Sequence, residues 1–270
     1  MSDDFRVPRL ARRGGEAPSL GRASAIGHLK HLLTDEQSHI RMRAAYALGG
    51  VGASYPQQAG TVLADLEDRL HTDPLVMVRV AAGHALGRIG VTAVADRQRI
   101  IRTLMQVLAD PRVVYVVKLA AAEGVGSIGP LLTTDRLTQE KAALALMQAL
   151  RTEHFAVREN AARALGQIGA QAEPRLCELI VRALARTLHA DDRPLVMAAA
   201  WALGLCADPS AVPALIAQLD NDGMPAVSRY SHVFHLYGGT RVCDVAAGSL
   251  ARIGTPDALA ALDSFRVRDA

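Results

Sequence analysis

One motif of thirteen residues recurs six times along the chain, and it restricts the fold more than any other feature. Clear copies begin at residues 40, 78, 117 and 157, and more divergent copies begin at 195 and 242. Successive copies are 38, 39, 40, 38 and 47 residues apart. A near-constant period of about 39 residues predicts an array of stacked units, in which each unit contacts its neighbours and no single central core is needed.

Each unit of the array is predicted to be a pair of helices. Within one copy, Val78, Ala82, Leu86 and Ile89 have the spacing of a helix with one buried face. A second amphipathic segment separates successive copies, and Asp and Pro occupy the turns between them. The first helices of the pairs are predicted at residues 20–33, 61–71, 97–108, 139–150, 174–188 and 209–219, with a closing helix at 258–265. The sequence therefore predicts an all-α, right-handed solenoid of about six helical hairpins over residues 20–270.

Two glycines recur in the motif, and different roles are predicted for them. The tenth position, exemplified by Gly87, is expected to let neighbouring helices approach closely. The last position, exemplified by Gly90, is expected to end the helix in a left-handed conformation. The two sets are Gly49, Gly87, Gly126, Gly166 and Gly204, and Gly52, Gly90, Gly129, Gly169 and Gly254.

The pattern V-R-x-x-A-A-x-A-L-G-x-I-G, complete in residues 157–169 and nearly so in 78–90, resembles the bacterial HEAT-like repeats named after phycobilisome lyases. The period is also near the 40 to 47 residues of HEAT and armadillo arrays. The resemblance covers residues 20–265 and implies a ladder between repeats, formed by a turn Asp and an Arg early in the second helix. The matching residues are Asp35 with Arg41, Asp73 with Arg79, and Asp110 with Lys118, and Arg158 recurs at the same position.

Composition indicates a protein of the cytoplasm. The chain has 270 residues, a formal net charge of +3 and three scattered cysteines, so neither a disulfide framework nor a strongly basic nucleic-acid module is indicated. The longest uncharged stretch has 13 residues, whereas a membrane helix needs about 18 or more. No secretory signal is evident, and no membrane association is expected. Residues 1–19 are predicted to be a flexible basic tail.

The variable positions of the repeat are the candidate partner-binding residues. Two positions before the conserved Leu, the sequence has Tyr46, His84, Glu123, Arg163 and Trp201. Because the fixed Ala and Leu residues face the core, we expect this row on the concave side of the array. Two positions after the same Leu, Arg88 and Arg252 form a second row. Together with Arg163 they could bind an acidic partner, although Glu123 and Glu159 interrupt the row of arginines.

An insertion at about residues 220–241 is the other candidate contact region. It is aromatic in a chain with few aromatic residues, and it contains Arg229, Tyr230, Phe234 and Tyr237. It is expected either to contact a partner or to cap the end of the array. His232, His235 and Cys243 could offer zinc ligands, but their spacing is loose, so we expect no metal.

These observations favour a non-catalytic scaffold that binds another protein, without a cofactor. No nucleophile elbow or phosphate-binding loop is present, and no catalytic residue is assigned. The resemblance implies a bilin lyase-like chromophore-attachment role as the alternative and as the only enzymatic one. A HEAT-like nucleic-acid-binding protein is the second alternative.

Overall fold

The computed structural model describes residues 19–152, 154–222, 237, 239 and 241–269, and the regular secondary structure of this part of the chain is helical, without strands. Four short 3-10 turns accompany the α-helices. The helices are α1 (Ser19–Leu32), α2 (Ser38–Ser54), α3 (Gly60–Thr72), α4 (Val76–Thr92), α5 (Arg97–Ala109), α6 (Tyr115–Ile128), α7 (Arg136–Ala149), α8 (Phe155–Gly169), α9 (Pro174–Thr187), α10 (Arg193–Cys206), α11 (Val212–Ile216), α12 (Val242–Ile253) and α13 (Pro256–Asp269). The predicted all-α solenoid of six helical pairs and a closing helix is confirmed.

The helices form two layers. We call α2, α4, α6, α8, α10 and α12 the inner layer, and α1, α3, α5, α7, α9 and α11 the outer layer. Each inner helix packs along its length against the next inner helix, whereas successive outer helices contact each other much less. Since one layer is more tightly spaced than the other, the array bends towards it, and the inner layer lines the concave side. A core of Leu, Ile, Val and Ala side chains lies between the layers.

Glycines set the close spacing of the inner layer, as predicted for the tenth motif position. A Cβ placed on Gly166 would lie 2.5 Å from the Cβ of Ala202 and 2.6 Å from its Cα. Gly49 makes the same close contact with Ala85, and Gly126 makes it with Ala164. The contact therefore recurs between successive inner helices along the array. Any side chain at these positions would push the backbones of adjacent inner helices apart.

The prediction for the last glycine of the motif is wrong in four of five copies. Gly254 has a φ of +69° and ends α12 in the left-handed conformation. The other four do not have a positive φ: Gly52, Gly90 and Gly169 belong to helices, and Gly129 has a φ of −54°. The physical reason for these glycines is again close packing. A Cβ on Gly52 would lie 2.7 Å from Cδ1 of Ile89, the residue that precedes the last glycine in the next copy.

An ion-pair ladder joins repeats at two of its expected positions. Arg41 donates to Asp73 through Nε (2.8 Å) and Nη2 (3.1 Å), and Arg158 pairs with Asp192 at 3.0 Å. In both pairs the arginine bonds to the turn of the following repeat. The expected pairing of Arg79 with Asp73 is wrong: Nε of Arg79 donates to the Leu70 carbonyl, because Arg41 and Arg69 already surround the Asp73 carboxylate.

The remaining positions of the ladder also differ from expectation. The carboxylate of Asp110 accepts hydrogen bonds from Arg112, on its own turn, and these bonds lower its pKa to about 2. Lys118 acts on Asp110 only through a longer-range Coulombic attraction. The ladder is therefore built where the turn places a carboxylate within reach of the preceding inner helix.

The three cysteines are free thiols; Cys177 and Cys243 are buried, and Cys206 is half-buried. Across the described helices, none has the length and apolar character needed to cross a membrane.

Candidate binding face

The five variable residues two positions before the conserved Leu lie on one face, one on each of five successive inner helices. We call Tyr46, His84, Glu123, Arg163 and Trp201 the inner row. They share a motif position, and the inner helices pack in register, so the side chains form a line across the array. All five are at least partly exposed, although alanines beside them, such as Ala85, Ala122 and Ala202, are buried.

Neighbouring members of the inner row contact each other. The rings of Tyr46 and His84 stack with centroids 6.4 Å apart, at an interplanar angle of 21°. Nδ1 of His84 lies 3.4 Å from Oε2 of Glu123, and Oε1 of Glu123 lies 3.8 Å from Nη2 of Arg163. The side chains therefore form a connected surface across four helices.

Tyr237 closes the far end of this surface. Its hydroxyl donates to Oε1 of Glu159 on α8 at 2.9 Å, and its ring meets the Trp201 ring edge-on with centroids 5.8 Å apart. Burial, followed by the charge of Glu159, raises the pKa of Tyr237, so this hydroxyl remains a donor. Tyr237 is only 6% exposed, so the structure places it as a cap on the inner row rather than as an exposed contact residue.

The second row lies beside the first and includes exposed cations. Arg88 and Arg252 are both exposed. Nη2 of Arg88 lies 3.7 Å from the position that a Cβ on Gly50 would occupy. The guanidinium therefore extends over α2, one helical turn from Tyr46. The structure thereby brings Tyr46, His84 and Arg88 together at the N-terminal part of the face.

The other predicted contact and metal residues are only partly covered. Arg229, Tyr230, His232, Phe234 and His235 lie outside the described residues. Cys243 is buried, with its Sγ 3.8 Å from Oδ1 of Asp222. Burial, followed by the charge of Asp244, raises the pKa of Cys243 and so opposes formation of the thiolate that zinc would require. Within the described part of the chain, no three His, Cys, Asp or Glu residues could jointly hold a metal ion.

Sequence reasoning missed an apolar edge at the N-terminal ends of α4, α6 and α8. Leu75, Met77 and Tyr115 are exposed there, and the ring of Tyr115 stacks on His154 with centroids 3.5 Å apart. Nδ1 of His154 also accepts the Ala156 N–H at 3.3 Å and so caps α8. Burial, together with the charge of Arg158, lowers the pKa of His154 and favours this neutral, accepting form. The sequence could have indicated this edge, since these residues lie one to three positions before the first residue of a motif copy.

Comparisons with known proteins agree with this architecture. The HEAT repeat family matches residues 101–187 and 144–229. No curated protein sequence matches the chain significantly. Residues 101–229 of the chain therefore contain HEAT-like repeats.

Solved structures with the same architecture include designed and natural repeat proteins. A designed armadillo repeat protein in complex with the peptide (KR)4 has a TM-score of 0.56 and 16% identity, over 85% of this chain and 99% of that one. A Kap121p mutant has a TM-score of 0.66 and 16% identity, over 86% of this chain but 23% of the other. Kap95p, in a structure with RanGDP, has a TM-score of 0.65 and 14% identity, over 88% and 31% of the two chains. At these identities the likeness concerns the fold alone.

Proposed function

We propose that this protein is a non-catalytic scaffold that binds a segment of another protein along the inner row. The observation that supports this most directly is the connected, partly exposed line from Tyr46 to Arg163, on inner helices whose neighbouring core positions are small and buried. Side chains that change from repeat to repeat, on a framework that does not, provide specific recognition without ordering a loop.

The spacing of the row suits an extended polypeptide. One variable side chain per repeat, supported by packed helices, offers a series of contacts along a line. Tyr46 is 39% exposed and stacked on His84, so it can bury further apolar area without losing rotamer freedom. Peptide binding by a designed armadillo protein, and assembly of Kap95p with RanGDP, show that this architecture supports such contacts in other proteins.

A capture experiment tests the proposal. The wild-type chain and the double variant Tyr46→Ala/His84→Ala would be used to recover partners from the host, with Leu137→Ala as the control. Leu137 is 63% exposed on α7, in the outer layer. We expect the double variant to lose at least about tenfold in partner recovery with unchanged helicity, because truncating an aromatic hot-spot residue costs about 2 kcal/mol. Equal recovery by all three proteins would refute the inner row as the binding site.

The alternative of a bilin lyase-like role depends on the repeat resemblance alone. Titration with a bilin separates the two proposals, since chromophore binding on this face would change the visible absorbance and protein binding would not. A cytoplasmic location is part of the scaffold proposal, and the three free thiols suit a reducing compartment. The insertion residues Arg229, Tyr230 and Phe234 remain predicted contacts.

A further inference from the structure

The charges of the binding face are unequally compensated, and this points to the chemistry of the partner. Arg88 and Arg252 are exposed, and among the described residues neither has an ion-pair partner within 4.0 Å. The acidic residues of the same face are already engaged. Glu123 lies between His84 and Arg163, each of which approaches a different carboxylate oxygen.

The second acidic residue is removed from the surface altogether. Glu159 is 5% exposed and accepts the hydroxyl hydrogen of Tyr237. In the sequence, Glu123 and Glu159 interrupt the row of arginines and leave its charge preference open. In the structure Glu123 is flanked by His84 and Arg163 and Glu159 is covered, so Arg88 and Arg252 are the exposed charges of this face without a counter-charge nearby among the described residues.

We infer that the segment bound along the inner row is an acidic polypeptide, whose carboxylates pair with Arg88 and Arg252 and whose apolar or aromatic side chain packs on Tyr46. The inference depends on the proposed function and names the partner class for the same site. Arginine pairs with a carboxylate through two parallel hydrogen bonds, and the Arg88 guanidinium, which lies over Gly50, is exposed and accessible for that geometry.

A nucleic acid is the other polyanion to consider, and the face suits it less well. A nucleic-acid backbone presents a regular line of phosphates, so its binding surfaces carry a continuous basic stripe. Here the corresponding positions between Arg88 and Arg252 are Ser127, Gln167 and Leu205. Isolated cations separated by uncharged side chains match carboxylates placed at intervals along a peptide.

Fluorescence anisotropy with two labelled peptides tests the inference. One peptide is (DE)4 with a phenylalanine at each end, and the other is (KR)4 with the same ends. We expect the acidic peptide to bind at least tenfold more tightly than the basic one at low salt, and less tightly as the salt concentration rises. Arg88→Glu should weaken acidic-peptide binding at least tenfold, whereas Arg88→Lys should weaken it less.

Arg102→Glu is the matched control, because Arg102 is exposed on α5 in the outer layer and the substitution changes the net charge equally. It should change affinity less than twofold. Preference for the basic peptide, absence of acidic-peptide binding, or equal effects of the two Arg→Glu variants would overturn the inference. Tighter binding of a single-stranded or duplex oligonucleotide than of the acidic peptide would overturn it as well. The capture experiment with Tyr46→Ala/His84→Ala decides the proposed function independently, since it does not depend on the charge of the partner.

Discussion

The two layers of the array hold successive repeats together by different means. Inner helices meet through glycine and alanine backbones, as at Gly166 and Ala202. Outer helices are farther apart and connected by long charged side chains, such as Lys30 with Asp65 at 3.0 Å and Arg99 with Glu67 at 2.6 Å. Steric contact fixes a distance closely, whereas exposed ion pairs contribute little and are screened by salt. The inner layer therefore holds the binding face in position, and the outer layer tolerates variation.

Loss of the buried ion pair between repeats should have the largest effect. The carboxylate of Asp73, on a residue that is only 3% exposed, accepts two hydrogen bonds from Arg41 and one from the Leu75 N–H. Asp73→Ala would leave the buried guanidinium of Arg41 uncompensated and should reduce the free energy of unfolding by about 3 to 4 kcal/mol, as measured by urea denaturation. The control is Asp68→Ala, on an exposed carboxylate in the last turns of α3, just before Asp73, with a loss below about 1 kcal/mol. Equal losses would contradict the distinction.

A methyl group added between two adjacent inner helices should have the next largest effect. Gly166→Ala should lower the free energy of unfolding by about 2 kcal/mol, because the added Cβ would overlap Ala202 and the two helices must separate. Gly248→Ala in α12 is the control, since nothing lies within 4 Å of its Cβ position. There the higher helix propensity of alanine should stabilise the protein by up to about 1 kcal/mol. Thermal and urea unfolding of both variants measure the difference. Effects of the same sign would refute the claim that Gly166 is needed for close contact between inner helices.

Much of this architecture could be predicted because the same helix pattern recurs in every copy of the repeat. The positions of the helices can be predicted from the spacing of apolar residues, which recurs in six copies. The inner row can be predicted because the core positions keep the same residue types in each copy, whereas the residues of the row change. The role of Gly90 could not be found in the same way, since a glycine near a helix end is equally compatible with a left-handed cap and with close contact to a neighbour. Only the position of Ile128 in the next repeat distinguishes the two.

The insertion shows a second limit of sequence reasoning. Tyr237 is 78 residues from Glu159, and no local pattern relates them. The sequence presents Glu159 as a charge that interrupts a binding row, whereas the fold covers it. Pairings at such a separation depend on where a chain excursion returns to the array, and packing rather than periodicity determines that.

Acid pH should weaken the ion pair that Asp73 forms with Arg41 between two repeats. Burial alone would raise the pKa of this carboxyl, but hydrogen bonds from Arg41 and the Leu75 N–H outweigh it and lower the pKa below its usual value. A lowered pKa in the folded state means that the stabilisation is present above the unfolded-state pKa of about 4 and is lost as the pH falls through the folded-state value. Urea unfolding between pH 7 and pH 2.5 should show a smaller acid-induced loss in Asp73→Asn than in the wild type. An identical pH dependence of the two proteins would contradict this assignment.

The outer ion pair between α3 and α5 should have the smallest effect. Arg99 donates to both carboxylate oxygens of Glu67, and Thr103 donates to one of them, yet the Arg99 side chain is nearly half exposed. Glu67→Ala should therefore reduce the free energy of unfolding by less than about 1 kcal/mol, and the reduction should shrink in high salt. A loss as large as that of Asp73→Ala, unaffected by salt, would mean that the outer layer fixes the spacing of the repeats as firmly as the inner one. The glycine contacts between inner helices would then not be sufficient to explain the proposed rigidity of the binding face.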